Sequence, residues 1–166
     1  MGSITVTKKK RMSNIDGVEI AELDLFRDDR GWLAELFRKD ELEADLFPEM
    51  AYISMTRPGV SRGPHEHREQ TDLIFFCGIS LFRLYLWDNR PDSSTHMLHE
   101  RIETEPDRAL MVKIPPGVVH GYKNIGAVEG LIINCPNRLY AGDKRLEQVD
   151  EIRHEENPGS AFKISD

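Results

Sequence analysis

The sequence predicts an all-β domain of the sandwich, barrel or jelly-roll kind, and three observations carry that prediction. Short apolar stretches recur along most of the chain, at the roughly 8–12-residue spacing of sandwiches and barrels. Several of them alternate apolar with polar residues, as half-buried strands do. Turn formers punctuate them: Pro58-Gly59, Asn89-Arg90-Pro91-Asp92, Glu105-Pro106-Asp107 and Pro115-Pro116-Gly117.

Taken in order, residues 1–14 open with a basic cluster, Lys8-Lys9-Lys10-Arg11, and no periodicity. They are expected to form a flexible tail, and 15–166 a single domain. Val18-Glu19-Ile20 and Leu23-Asp24-Leu25 alternate like strands, and 32–37 reads as a strand after the Asp28-Asp29-Arg30-Gly31 turn. One short helix is expected over 40–47, where Leu42, Leu46 and Phe47 share a face and Pro48 stops the pattern. Further strands are expected at 51–56, 73–77, 80–87, 97–102, 109–114, 121–124 and 131–134. The charged stretch after Tyr140 reads as one more short helix plus loop.

Composition narrows the function. At 166 residues the chain suits one domain with a real core. A net charge of -7 argues against nucleic acid or an anionic membrane as the main partner. No apolar run reaches the ~18 residues of a membrane helix, and the start lacks the apolar segment of a secretory leader. Cys77 and Cys135 stand in apolar surroundings and read as buried free thiols of a cytoplasmic protein.

The chemistry concentrates in two segments. The first is Arg62-Gly63-Pro64-His65-Glu66-His67, followed by Asp72. Residues two apart on a strand face the same way, so His65 and His67 project together. The second is Pro115-Pro116-Gly117-Val118-Val119-His120, which continues to Asn124 and puts His120 at the head of a strand. Three His and one carboxylate suit a divalent Fe, Mn, Zn or Ni ion. The plainer alternative makes the His residues ordinary polar strand residues and pairs Asp72 with Arg68.

These motifs resemble those of the cupin superfamily, HxH followed by an acid and Gly (here Gly78), then PxGxxHxxxN. That resemblance implies a small jelly-roll β-barrel. A closer likeness spans roughly residues 24 to 140: the chain resembles the dTDP-4-dehydrorhamnose 3,5-epimerase family of cupins. The matching stretches are 26–35, 59–65, 88–95 and 114–122, with a late Tyr140. The resemblance implies an isomerase acting on a nucleotide-linked 4-keto-deoxysugar of polysaccharide or secondary metabolism. His65 is then the base that removes a proton beside the C4 ketone. Arg30 and Arg62 hold the diphosphate through their guanidinium forks. Glu35 and His120 join them as substrate contacts, and His67 and Tyr140 serve as supporting acid or polar groups. No cofactor is implied, and a homodimer with an exchanged strand is expected.

Three departures stand beside the likeness. Asp72 occupies the place of a family Lys that stabilises the enolate, and an anion there works against one. Asn134 stands where the family has its acid Tyr, if Tyr140 is the later Tyr. The family's orienting C-terminal Asp falls past the end of this shorter chain. The RGxHxH form also resembles sugar 3,4-ketoisomerases, which use two His on this strand. Two other readings stay open: a metal-dependent cupin with His65, His67, Asp72 and His120 around one divalent ion, and a non-catalytic sugar-nucleotide binding module.

Overall fold

Alternation along the chain becomes two antiparallel sheets laid face to face. The computed structural model describes residues 9–165, with side chains from residue 11. Its strands are β1 (Lys9–Met12), β2 (Glu19–Leu23), β3 (Phe26–Asp28), β4 (Gly31–Leu33), β5 (Tyr52–Thr56), β6 (Ser61–Glu66) and β7 (Asp72–Phe76). There follow β8 (Phe82–Asp88), β9 (His99–Glu103), β10 (Ala109–Ile114), β11 (Val118–Asn124), β12 (Gly130–Asn134) and β13 (Ile152–Arg153). One sheet runs β1-β2-β10-β7-β12-β5, the other β13-β6-β11-β8-β9, and β3-β4 is a separate hairpin. The predicted jelly roll is what forms.

The core lies between the sheets. On β8 the inward residues Phe82, Leu84 and Leu86 alternate with Arg83 and Trp87. They meet Ile74 and Phe76 of β7, Val112 of β10 and Tyr122 of β11. Every residue of β7 is buried, because its other face is covered too. Leu73 and Phe75 pack with Cys135 beneath Ala34, Leu36, Phe37 and Leu42. The outer face of β8 is closed by the C-terminal segment: the Tyr85 hydroxyl donates to the Ser165 carbonyl at 2.7 Å, and Trp87 meets Phe162 at 5.9 Å.

Phe76, Phe82 and Tyr122 form an aromatic trio with centroids 5.4 to 6.0 Å apart, Tyr122 meeting both phenylalanines edge-to-face. Phe82 also fills the space over Gly130, where an added Cβ would lie 2.3 Å from its ring. Phe82→Ala is therefore expected to cost about 3–5 kcal/mol. Urea denaturation checks this; a shift of less than about 1 kcal/mol would mean the trio is not packed as described.

Three expectations are corrected. The 40–47 helix does not form; only a single 3-10 turn, Ala44–Leu46, exists there. Glu43 supplies no side-chain cap, and Phe47 before Pro48 is extended, as a residue before proline prefers. So short a segment cannot offset helix nucleation, and tertiary contacts take its apolar residues instead. Leu46 is buried, and Phe47 meets Phe37 edge-on at 6.3 Å. At the other end of the domain, only one 3-10 turn, Asp143–Arg145, stands in the charged stretch. The expected tail also shortens: Lys9–Met12 pairs with β2, and Ser13 and Asn14 donate to the Glu100 carboxylate. Residues 1–8 of that tail lie outside the described residues. Cys77 and Cys135 are both free and buried, as expected.

Candidate active site

The site sits where β6, β11 and β13 run side by side. Gly63 makes that approach possible: its φ is +78°, and a Cβ there would lie 2.8 Å from the His120 carbonyl oxygen. The register then sets His65 opposite His120 on one side and Arg153 on the other. The ring centroids of His65 and His120 are 4.5 Å apart, and those of His65 and His67 are 5.6 Å apart. Asp72, first residue of β7, is 1% exposed and completes the group. One ligand atom from each of His65, His67, Asp72 and His120 lies within 4.8 Å of the others. The sequence motifs thus converge as expected.

Hydrogen bonds fix these side chains. Asp72 Oδ1 accepts from Gln70 Nε2 at 2.8 Å and Asn134 Nδ2 at 2.9 Å. Its Oδ2 lies 3.1 Å from His120 Nε2 and 3.3 Å from His67 Nε2. His120 Nδ1 is 3.0 Å from the Val118 carbonyl oxygen, and His67 Nδ1 contacts the Asp150 carbonyl oxygen. The Asp150 carboxylate accepts from the backbone N–H groups of Arg68, Glu69 and Gln70 at 2.8 to 2.9 Å. The C-terminal segment therefore seals the site's floor. Burial pushes His65 well below the usual imidazole pKa, and the nearby His120 adds to that. Burial works the same way on His67, but the Asp72 carboxylate outweighs it and raises His67 to about 9. Asp72 resists its own burial and stays well below the usual range, because His120 and His67 face it.

Two cavities meet at His65. One, of about 680 Å³, is lined by His67, Tyr52, Tyr140, Lys144 and Arg145 among others. The second, of about 470 Å³, adds Arg62, His120 and Tyr122. Both share Tyr52, His65, Glu151 and Arg153.

The profile of one protein family, described as dTDP-4-dehydrorhamnose 3,5-epimerase, matches residues 12–149. The chain belongs to this family. It is 38% identical over 142 residues to "Probable low-salt glycan biosynthesis epimerase Agl13" of Haloferax volcanii, covering 86% of this chain and 88% of that one. It is 36% identical over 141 residues to "Spore coat polysaccharide biosynthesis protein SpsL" of Bacillus subtilis, covering 82% and 92%. Among solved structures, a dTDP sugar isomerase from Desulfovibrio desulfuricans superposes with a TM-score of 0.76 over 90% of this chain and 91% of that one. At 22% identity that likeness is one of fold.

Within this epimerase-family fold the other expected residues divide. Arg62 lines the second cavity, held by Thr56 Oγ1 at 3.1 Å and the Met55 carbonyl at 3.0 Å. Tyr140 lines the first and is half exposed. Arg30 is on the β3–β4 hairpin, its side chain 85% exposed and paired with Asp28. Glu35 faces Arg38 at 3.7 Å. Neither lines a cavity that contains His65.

Two residues were not foreseen. Glu151 Oε1 stands 3.9 Å from His65 Nδ1, a carboxylate facing the imidazole where the resemblance implied one only past the chain's end. Asn134, at the expected acid position, donates to the Tyr52 hydroxyl at 2.7 Å. Burial first, and then the charge of Asp72, raise the Tyr52 pKa and keep its phenol protonated. A carboxylate in a charged stretch and a tyrosine on an edge strand carry no signal of this in sequence.

Proposed function

We propose that the chain is a nucleotide-sugar epimerase or isomerase in which His65 removes a proton beside the C4 ketone of a nucleotide-linked 4-keto-deoxysugar. The observation that carries this reading is the position of His65. It opens onto both cavities, is held neutral by burial, and has Glu151 behind Nδ1. A neutral imidazole can accept a proton, and a carboxylate at its far nitrogen steadies the imidazolium that results. The C–H electron pair moves onto the carbonyl oxygen as His65 gains the proton, leaving an enolate. Tyr52, with Tyr140 further along the same cavity, is the candidate donor for reprotonation. Arg62 is the candidate diphosphate contact, and Lys144 and Arg145 line the adjoining cavity with further positive charge.

The names of the curated relatives support a substrate destined for a surface glycan or coat polysaccharide. A homodimer is part of the same reading. Edge strand β5 carries exposed Ile53 and Met55, and the β3–β4 hairpin carries exposed Phe26, Trp32 and Leu33, surfaces that call for a covering partner. Such a partner would also give Arg30 and Glu35 a site to serve. Two buried free thiols fit a reducing, cytoplasmic compartment.

Incubation with a panel of nucleotide-linked 4-keto-deoxysugars in D₂O tests the function. Mass spectrometry is expected to find deuterium on the sugar carbon beside the ketone, one atom for a single-site enzyme and two for a 3,5-epimerase. Tight binding with no deuterium uptake across the panel would identify a non-catalytic binding module instead.

A further inference from the structure

We propose that Asp72 and Asn134 are positioning residues that aim the Tyr52 hydroxyl hydrogen into the cavities, and that Tyr52, not Tyr140, is the proton donor that inverts the sugar carbon. The inference rests on the proposed proton abstraction by His65 and supplies its second half.

One amide sets the direction of these hydrogen bonds. Asn134 lies opposite Tyr52 in the β12–β5 pairing. Its Nδ2 donates to Asp72 Oδ1 at 2.9 Å and to the Tyr52 hydroxyl oxygen at 2.7 Å. Asp72 is 1% exposed, and the facing His120 and His67 keep its carboxyl ionised. A carboxylate only accepts, so the NH₂ end of Asn134 must face it. That orientation leaves Asn134 Oδ1 buried with no partner among the described residues. Turning the amide over would offer Oδ1 to the Tyr52 hydroxyl, but it would also set two acceptors against each other at the Asp72 contact. A buried carboxylate facing an acceptor costs more than an idle carbonyl.

Both hydrogens of Nδ2 are thus in use, one on Asp72 and one on Tyr52. The Tyr52 oxygen is the acceptor in its bond, so its own hydrogen points elsewhere. Among the described residues that bond is the one its hydroxyl makes. Tyr52 lines both cavities beside His65, which leaves the hydrogen for a molecule that occupies them. Tyr140 lines the first cavity and not the second. The bond that holds Tyr140 runs from its backbone N–H to Met50 Sδ, not from the phenol.

Sheet topology supplies the stereochemistry. Tyr52 stands on β5 and His65 on β6, strands of the two facing sheets. A base that hands its proton back returns it to the face it left and restores the configuration. Inversion needs a donor on the other face. As Tyr52 gives up its O–H hydrogen, the enolate's electron pair forms the new C–H bond and the C4 carbonyl is restored. The phenolate left behind keeps the Asn134 N–H. Water then takes the proton from His65 and returns one to Tyr52. Asp72 and Asn134, the two residues that depart from the family pattern, thereby share one task.

The test uses the full chain and a panel sugar that exchanges in D₂O. Mass spectrometry reads deuterium uptake and NMR reads the configuration of the deuterated carbon. The ratio of inverted to retained deuterated sugar is the readout, because a general loosening of the site lowers both products together. Tyr52→Phe is expected to keep uptake within about 10-fold, through His65, and to lower the ratio by about 10²–10⁴-fold. Asn134→Leu, of similar shape without the amide, is expected to lower it by about 10-fold, the worth of one hydrogen bond. Asp72→Ala is expected to do the same, since the amide can then turn over and take the Tyr52 hydrogen. In the Tyr52→Phe background Asn134→Leu is expected to change the ratio no further. If Asn134→Leu does not fold, Asn134→Ala takes its place; Tyr52→Phe removes one oxygen from a half-exposed side chain on an edge strand. A Tyr52→Phe protein that inverts at the wild-type ratio overturns the donor, as does a ratio that falls in Tyr140→Phe instead. An Asn134 variant that leaves the ratio unchanged, or lowers it further without the Tyr52 hydroxyl, overturns the positioning. Wild type that takes up deuterium yet yields no inverted sugar overturns this inference alone and leaves His65 as the base of an isomerase. No uptake on any sugar overturns the proposed function, and this inference with it.

Discussion

His65→Ala is expected to lower solvent deuterium uptake by about 10²–10⁴-fold, the usual contribution of a positioned general base, with nucleotide-sugar affinity within a few-fold of wild type. The two parts come from different places. His65 is one wall residue among many in two cavities, and the diphosphate candidates Arg62, Lys144 and Arg145 are untouched by the change. The other two imidazoles of the site, however, are not equivalent acceptors for the proton. His120 is 2% exposed, with its Nε2 turned toward Asp72. The nitrogens of His67 face Asp150, Gln70 and Asp72. Glu151→Gln should lower exchange as well, since it removes the carboxylate that steadies the imidazolium in the proposed step. A His65→Ala protein that still exchanges within 10-fold of wild type, measured on the same substrate, would remove His65 as the base.

Sequence made the framework legible where local chemistry sufficed. Strands β7, β8 and β10 could be read because their apolar residues alternate or run between turn formers. His65, His67, Asp72 and His120 could be grouped because a period of two and a Pro-Gly turn fix where such side chains point. Legibility failed wherever position depends on distant segments. The 40–47 pattern has helical spacing, yet its apolar residues are claimed by Phe37 and the outer face of β7. Asp150 and Glu151 reach the site only because β13, two residues long, pairs with β6. Tyr52 enters the cavity through Asn134 on the neighbouring strand, a contact across 82 residues of sequence. Arg30 and Glu35 were recognisable as motif residues, but a motif does not say whether they face this chain's own cavity.

A stability effect as large as that of Phe82→Ala is expected at Asp88, which joins the scaffold to the site. The residue is 0% exposed at the end of β8. Its Oδ1 accepts from the Arg90 backbone N–H at 3.1 Å and Nε at 2.8 Å, and its Oδ2 from Arg90 Nη2 at 2.8 Å and Thr95 Oγ1 at 2.6 Å. Ser93 donates to it as well. Burial alone would raise the carboxyl pKa, but these donors outweigh it and hold it far below the usual 3.8. Asp88→Ala strands Arg90 and two hydroxyls, at an expected cost of about 3–5 kcal/mol or roughly 10 °C in Tm for a chain this size.

The pH dependence follows in sign from the depressed pKa. The stabilisation is complete above the unfolded carboxyl pKa of about 3.9 and is lost as pH falls from there toward the folded value. Asp88→Asn removes that titration, so its melting temperature should fall less steeply than wild type between about pH 4 and pH 2. Equal slopes would show that Asp88 is not held ionised by these bonds. The same bonds reach β11. Arg90 lies against Gly117, where a Cβ would stand 2.6 Å from its Cγ, and the Asn89 N–H donates to the Gly117 carbonyl at 3.1 Å. Gly117 belongs to the turn that delivers His120. Loosening Asp88 should therefore lower deuterium exchange at 25 °C, where the variant is still folded, as well as Tm. A variant that melts early yet exchanges at the wild-type rate would show that β11 holds His120 in place without help from this loop.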